Sequence, residues 1–328
     1  GSGAVDFGGI IGGTDGLGTV AINTTANPGT NSGNQATGTI AIAGIGSADG
    51  STTSGTDSGS TFTAGNTNTA SITLDGDMYF TDGDTLFEAA SGNTIINDQS
   101  TGAVTDFITA ADSIEFATGT LFIQDDVTAL TITSNNGTVT VNSIDGDHDE
   151  DVTINAGSGA LSVGRIGGDN GTDDEGINTV QLTSSHATGI TLSGNITTSN
   201  AANNNITLTG PVVISGTVAL DTDPGSTQDG TITFTSTIRG DGDAATTDNL
   251  DIETGSGTLT FNASTIIGGA DKPLATLDVN ITGGTGNVVA LDIPQIGKTG
   301  TTTAGVTGIT RIGSTTATTV TMSDDLYN

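Results

Sequence analysis

The sequence predicts an all-β chain, folded as a right-handed parallel β-helix in which short strands stack coil upon coil. Three observations predict it. Val, Ile and Leu fall in short alternating runs with Thr between them, which is the vocabulary of strands rather than of disorder. Gly supplies 51 of 328 residues and punctuates those runs, as corners and tight turns require. A strand–turn–strand frame recurs along the chain, the mark of a solenoid whose units bury a core only by stacking. Strands joined by hairpins into β-sandwich modules are the alternative, because a turn such as Ser-Asn-Asn-Gly serves either geometry. Nine Phe and no Trp suit a narrow solenoid core better than a sandwich core.

Residues 1–74 are expected to form a Gly/Ser/Thr-rich β region with loops, the longest at 24–68. Residues 75–122 hold Met78, Tyr79, Phe80, Phe87, Phe107, Phe116 and Phe122, and are expected as an insertion or small lobe. Within it, 85–90 and 103–111 suit short helices or wider strands. This concentration of large apolar side chains is the expected contact surface for a partner. Residues 123–300 carry the repeats. In 130–141 (LTITSNNGTVTV) the alternation turns Leu130, Ile132, Val139 and Val141 inward and mostly Thr outward. Ile132 and Ile154 correspond, 22 residues apart, which suits one coil. The closest pair of segments is 151–168 and 249–269, with Gly157 and Gly255 matched 98 residues apart, an expected four or five coils. The whole chain then makes on the order of 14 coils, a rod about 70 Å long at ~4.8 Å per strand. Residues 301–328 are Thr-rich and expected as a terminal coil or an exchanged strand.

Composition narrows the function. The chain has no Cys, so disulfides, thiolate metal sites and a cysteine nucleophile are excluded. Five Lys and Arg against 37 Asp and Glu give a charge of −32, which leaves no basic footprint for nucleic acid. No apolar run reaches the roughly 18 residues of a membrane-spanning helix. The chain starts at Gly1 without a visible leader, so it is expected as a processed product or a piece of something longer.

The stretch 206–243 (ITLTGPVVISGTVALDTD…DGTITFTSTIRGDGD) resembles repeats of filamentous-haemagglutinin-type and autotransporter-type bacterial surface proteins. The resemblance covers roughly 125–292. It implies export, an extracellular or cell-surface location and an elongated shaft with parallel β-helix repeats. It carries no catalytic signature.

The acidic turns are the candidate sites. Asp145, Asp147, Asp149 and Asp151 fall in a seven-residue stretch with Glu150, and Asp169 and Asp173 lie in a second. Asp241 and Asp243 form an Asp-Gly-Asp. Hard oxygens on Gly-flexible loops suit Ca²⁺, which takes 6–8 of them. No EF-hand or tandem nonapeptide repeat is complete, and a solvated Asp-Gly turn is the plain alternative. His148 and His186 lack a motif that would make them catalytic. Arg239-Gly240-Asp241 is a tripeptide that chance supplies readily.

The expectation is therefore an extracellular structural protein and not an enzyme: the subunit of a surface fibre or the shaft of an adhesin, stabilised by calcium. Its partners would be further copies of itself, joined head to tail or by strand exchange, and cell-surface glycans or proteins. A surface-layer protein of β-sandwich modules and a carbohydrate-active β-helix are the alternatives.

Overall fold

A computed structural model describes residues 4–22, 38–47, 54–91, 94–97, 103–124, 126–168, 176–199, 203–222, 224, 229–243, 247–262, 265–269, 272–279, 291–297, 305–313 and 320–322. The chain is a parallel β-helix. Among the described residues every ladder between strands is parallel, so hairpin-built β-sandwich modules are ruled out; antiparallel pairs are what a hairpin makes. The chain divides into two compact units, Gly1–Gly159 and Ala160–Asn328.

Among the described residues each unit contains three long ladders, and the second adds a separate parallel pair, Leu291–Ile293 with Val320–Met322. In the first unit, one ladder stacks Met78–Thr81, Ala103–Thr109, Val127–Thr133 and Glu150–Asn155. A second stacks Val20–Ile22, Ser60–Gly65, Gly83–Glu88, Ile114–Phe116 and the first half of Val139–Gly146. A third stacks Val5–Phe7, Thr39–Ile42, Ser71–Leu74, Thr94–Asn97, Thr120–Ile123 and the second half of Val139–Gly146. Of the two forms expected for 85–90 and 103–111, short helices or wider strands, the structure has strands: Gly83–Glu88 in the second ladder and Ala103–Thr109 in the first.

The second unit repeats the plan. Its first ladder is Ile177–Thr183, Ile206–Thr209, Thr231–Phe234 and Thr258–Phe261. Its second runs from Leu161–Ile166 through Ile190–Leu192, Val212–Ile214, Ile238–Gly240 and Ile266–Ile267 to Gln295–Ile296. Its third runs from Ile196–Thr197 through Thr217–Asp221, Asn249–Glu253 and Thr276–Val279 to Thr310–Ile312. In 301–328, the strands Thr310–Ile312 and Val320–Met322 both join parallel pairs.

Alternation builds the core. Leu130, Ile132, Val139 and Val141 are all buried. Each fully buried aliphatic side chain contributes about 1.5–3 kcal/mol. The stacking puts like over like: Leu182 lies opposite Leu208 and Leu208 opposite Phe234. Aromatics are few but gathered. Tyr79 stacks on Phe107 with ring centres 4.7 Å apart, and Phe87 on Phe116 at 5.2 Å. Phe62 and Phe107 meet Phe87 from two sides, both at 5.8 Å. The buried Tyr79 hydroxyl donates to the Ile42 carbonyl and accepts from the Gly76 N–H, so its polar end is satisfied. Phe62, Phe87, Phe107 and Phe116 are fully buried. The aromatic stretch thus fills the interior and does not present these rings to a partner.

Corners are tight. The turn at Ser134–Gly137 closes with a Gly137 N–H to Ser134 bond of 3.1 Å, and that at Ala156–Gly159 with a Gly159 to Ala156 bond of 2.8 Å. A Cβ on Gly159 would lie 1.8 Å from the Gly137 carbonyl oxygen, so coils touch there through backbone alone. Ile132 faces Ile154, which confirms a 22-residue coil. Other coils are longer: Ile206 faces Ile232, and Leu277 faces Thr310.

The 98-residue match marks no whole number of coils. In the first unit the Gly157 frame links the first ladder to a following corner. In the second unit the Gly255 frame leads from the third ladder into the first. The two glycines share a positive φ, 57° and 52°, because both make the same kind of turn, but they make it at different corners.

Candidate functional site: the acidic turns

The turn after Val139–Gly146 gathers the densest acids. Asp145 is nearly buried, and its Oδ1 accepts from the Gly146 N–H at 3.2 Å. Asp147, His148 and Asp149 are exposed, and Asp149 adopts φ +51°. Asp151 points outward on the strand and is half-buried. The carboxylate that organises this turn is Glu150. It is fully buried, and its Oε1 accepts from the N–H of Asp147 at 3.1 Å and of His148 at 2.9 Å. Its Oε2 is buried with no hydrogen-bond partner. Burial pushes the Glu150 carboxyl up to about 7, with the charge of Asp147 adding to the rise against the backbone hydrogen bonds that oppose it.

The sequence reading counted Glu150 only as one of the five acids of this turn. The signal that places it inside is strand parity. Glu150, Val152 and Ile154 alternate in phase, and all three are buried. Asp248 obeys the same rule, in phase with Leu250 and Ile252, and is also buried.

Asp241 and Asp243 are held within the chain. Asp241 Oδ1 accepts from the Asp243 N–H at 2.6 Å, and Oδ2 accepts from the Ser215 hydroxyl at 2.8 Å. Asp248 Oδ2 accepts from the Asp241 N–H and its Oδ1 from the Gly216 N–H. Lys272 donates from Nζ to the Asp241 carbonyl at 2.6 Å. Ser215, Asp241 and Lys272 come from successive coils, so this cluster ties coils together. The Arg239-Gly240-Asp241 tripeptide sits inside it, with Ile238–Gly240 in the second ladder.

A third group stacks on the third ladder of the second unit. Asp251 lies opposite Asp278, and Asp278 opposite Arg311. Arg311 donates to both Asp278 oxygens, from Nε at 2.7 Å and from a terminal nitrogen at 2.5 Å, a bidentate pair. Asp251 receives no such cation. Its Oδ1 is buried and unpartnered, and burial, then the charges of Asp278 and Asp221, raise its carboxyl above the ordinary range.

Corner acids and amides elsewhere bridge coils. Asp84 Oδ1 accepts from both the N–H and hydroxyl of Ser113, and Asn136 Oδ1 does the same for Ser158. Asp229 Oδ2 takes the same pair from Ser256. His186 closes a local turn through Ser184 and Thr188. Asp169 and Asp173 lie outside the described residues.

Of the proposed calcium ligands, the structure brings Asp145, Asp147, Asp149 and Asp151 to one turn and Asp241 and Asp243 to another. Among the described residues no group of three or more His, Asp or Glu side chains is arranged to hold a metal ion, and no helix is long and apolar enough to cross a membrane. No family model, curated protein or solved structure matches the chain.

Proposed function

We propose that this chain is an extracellular structural protein, the subunit of a surface fibre or the shaft of an adhesin. The observation that carries the reading is the register of the three ladders in each unit. Each coil hands its backbone hydrogen bonds to the next, as in Leu250 opposite Leu277 and Leu277 opposite Thr310. Such a stack resists pulling through many bonds at once and adds length by adding coils. Polar side chains reinforce it from coil to coil at Asp84–Ser113, Asn136–Ser158 and Asp229–Ser256. The partner in assembly is a further copy of the chain, joined head to tail or by strand exchange, with cell-surface glycans or proteins as targets.

Calcium enters through charge. A chain at −32 repels itself, and divalent cations relieve that repulsion. Asp147, Asp149 and Asp243 are exposed, where a divalent cation can reach them. Negative-stain electron microscopy of the purified chain tests the reading, first with calcium and then after chelation. Fibres that shorten or dissolve on chelation are expected. Separate particles under both conditions would refute a calcium-linked fibre subunit.

A further inference from the structure

The outer side of the first ladder in the second unit is uncharged along all four of its strands. Its four strands, Ile177–Thr183, Ile206–Thr209, Thr231–Phe234 and Thr258–Phe261, read INTVQLT, ITLT, TITF and TLTF. None carries a charge, in a chain with 37 Asp and Glu. The third ladder of the same unit bears Asp221, Asp251, Glu253, Asp278 and Arg311. Charge is segregated by face.

The uncharged face is a lattice. Gln181, Thr207, Thr233 and Thr260 are successive partners in register. Thr183 pairs with Thr209 on one side of that row, and Thr231 with Thr258 on the other. No bulge interrupts these pairings. Neighbouring rungs stand about 4.8 Å apart, and residues i and i+2 of one strand about 6.6 Å apart. The β-branched side chain of Thr is stiff about χ1, so the backbone lattice fixes the hydroxyl and methyl positions.

The hydroxyls are also unclaimed. Among the described residues no protein group bonds the hydroxyl of Thr183, Thr207, Thr209, Thr231, Thr233, Thr258 or Thr260. The third ladder behaves otherwise: Asn249 donates to the Thr217 hydroxyl and accepts from the Thr276 hydroxyl.

We propose that this Thr face binds ice. A crystal face of ice presents oxygens in regular rows a few ångströms apart, on the scale of the rung and i, i+2 spacings of a β-sheet. Rigid hydroxyls on such a net hold water in matching positions, and the methyl groups between them fill the spaces. A neutral face suits a neutral crystal, whereas carboxylates would hold their own hydration shells against it. The reading does not depend on fibre assembly, since it needs only one folded chain.

The test is ice-affinity partition and ice-recrystallisation inhibition with the whole chain. Thr233→Tyr blocks the central row from outside, and Thr217→Tyr, on the third ladder, serves as control. Circular dichroism melts verify that both variants fold. The wild type is expected to concentrate in the ice and to arrest grain growth. Thr233→Tyr is expected to lose about tenfold or more, as disruption of several matched hydroxyl contacts implies, while Thr217→Tyr matches the wild type. Exclusion of the wild type from ice would overturn the proposal, including exclusion because the face pairs with a second copy. Equal activity of Thr233→Tyr and wild type, or an equal loss in Thr217→Tyr, would overturn it as well.

Discussion

Replacing Glu150 by Gln should flatten the pH dependence of stability between about pH 5 and 8. The carboxyl is fully buried, bonded through one oxygen and unpartnered at the other, and it titrates near 7 instead of 4.5. A carboxyl raised in the folded state binds its proton more tightly there than in the unfolded chain. Its contribution is therefore fully present below the unfolded value and is lost as pH rises through about 7. At about 1.4 kcal/mol per pH unit, the gap corresponds to roughly 3 kcal/mol between the two limits. Gln keeps an oxygen for the Asp147 and His148 N–H groups and cannot ionise. Urea unfolding of both chains at pH 5 and pH 8 isolates the site, because every other carboxylate cancels in the difference. The variant should match the wild type within about 1 kcal/mol at pH 5, since only the unpartnered atom changes. At pH 8 it should be the more stable of the two. A constant offset between the chains at both pH values would refute the argument.

Asp251→Asn should also raise the urea midpoint, at neutral pH and not at pH 3.5. Burial and the charges of Asp278 and Asp221 raise the Asp251 carboxyl, so its contribution is full below the unfolded value of 3.8 and is lost as pH rises through the raised one. Leu208→Ala should cost about 2–5 kcal/mol in the same assay, because Leu208 is fully buried between Leu182 and Phe234. Gly159→Ala should cost about 1–3 kcal/mol through overpacking, since its Cβ would meet the Gly137 carbonyl at 1.8 Å; thermal melts followed by circular dichroism would show the shift.

Much of the fold is legible in local alternation. The run LTITSNNGTVTV gives its inward row directly, and the correspondence of Ile132 with Ile154 gives a true coil, because both lie one turn apart on one ladder. The match of Gly157 with Gly255 misleads for a physical reason. A turn's sequence records the backbone conformation it needs, and more than one corner needs the same conformation. The Phe residues mislead in a similar way. Their clustering in sequence suggested an outer surface, but coils stack neighbouring residues of different turns, so Phe87, Phe107 and Phe116 meet inside. In the acidic turns, counting carboxylates ranks Asp147 and Asp149 with Glu150. Only the phase of Val152 and Ile154 separates the buried acid from the exposed ones. The partners of Asp241, namely Ser215 and Lys272, come from other coils, and no local pattern names them.

Coil length varies along this chain, yet the described pairings of the second unit keep register. Ile190 to Val212 spans 22 residues, Ile206 to Ile232 spans 26, and Leu277 to Thr310 spans 33. The chain thus keeps count in rungs, not in residues. An insertion at a corner lengthens a loop and leaves the strands above and below in place. A single insertion within a strand such as Thr231–Phe234 would turn Ile232 outward and Thr233 inward, and would reverse one rung against its neighbours. Variation of this protein in nature should therefore concentrate its gains and losses of residues at corners. It should treat strand length as nearly fixed, so that new reach or new loops arise without redesign of the core.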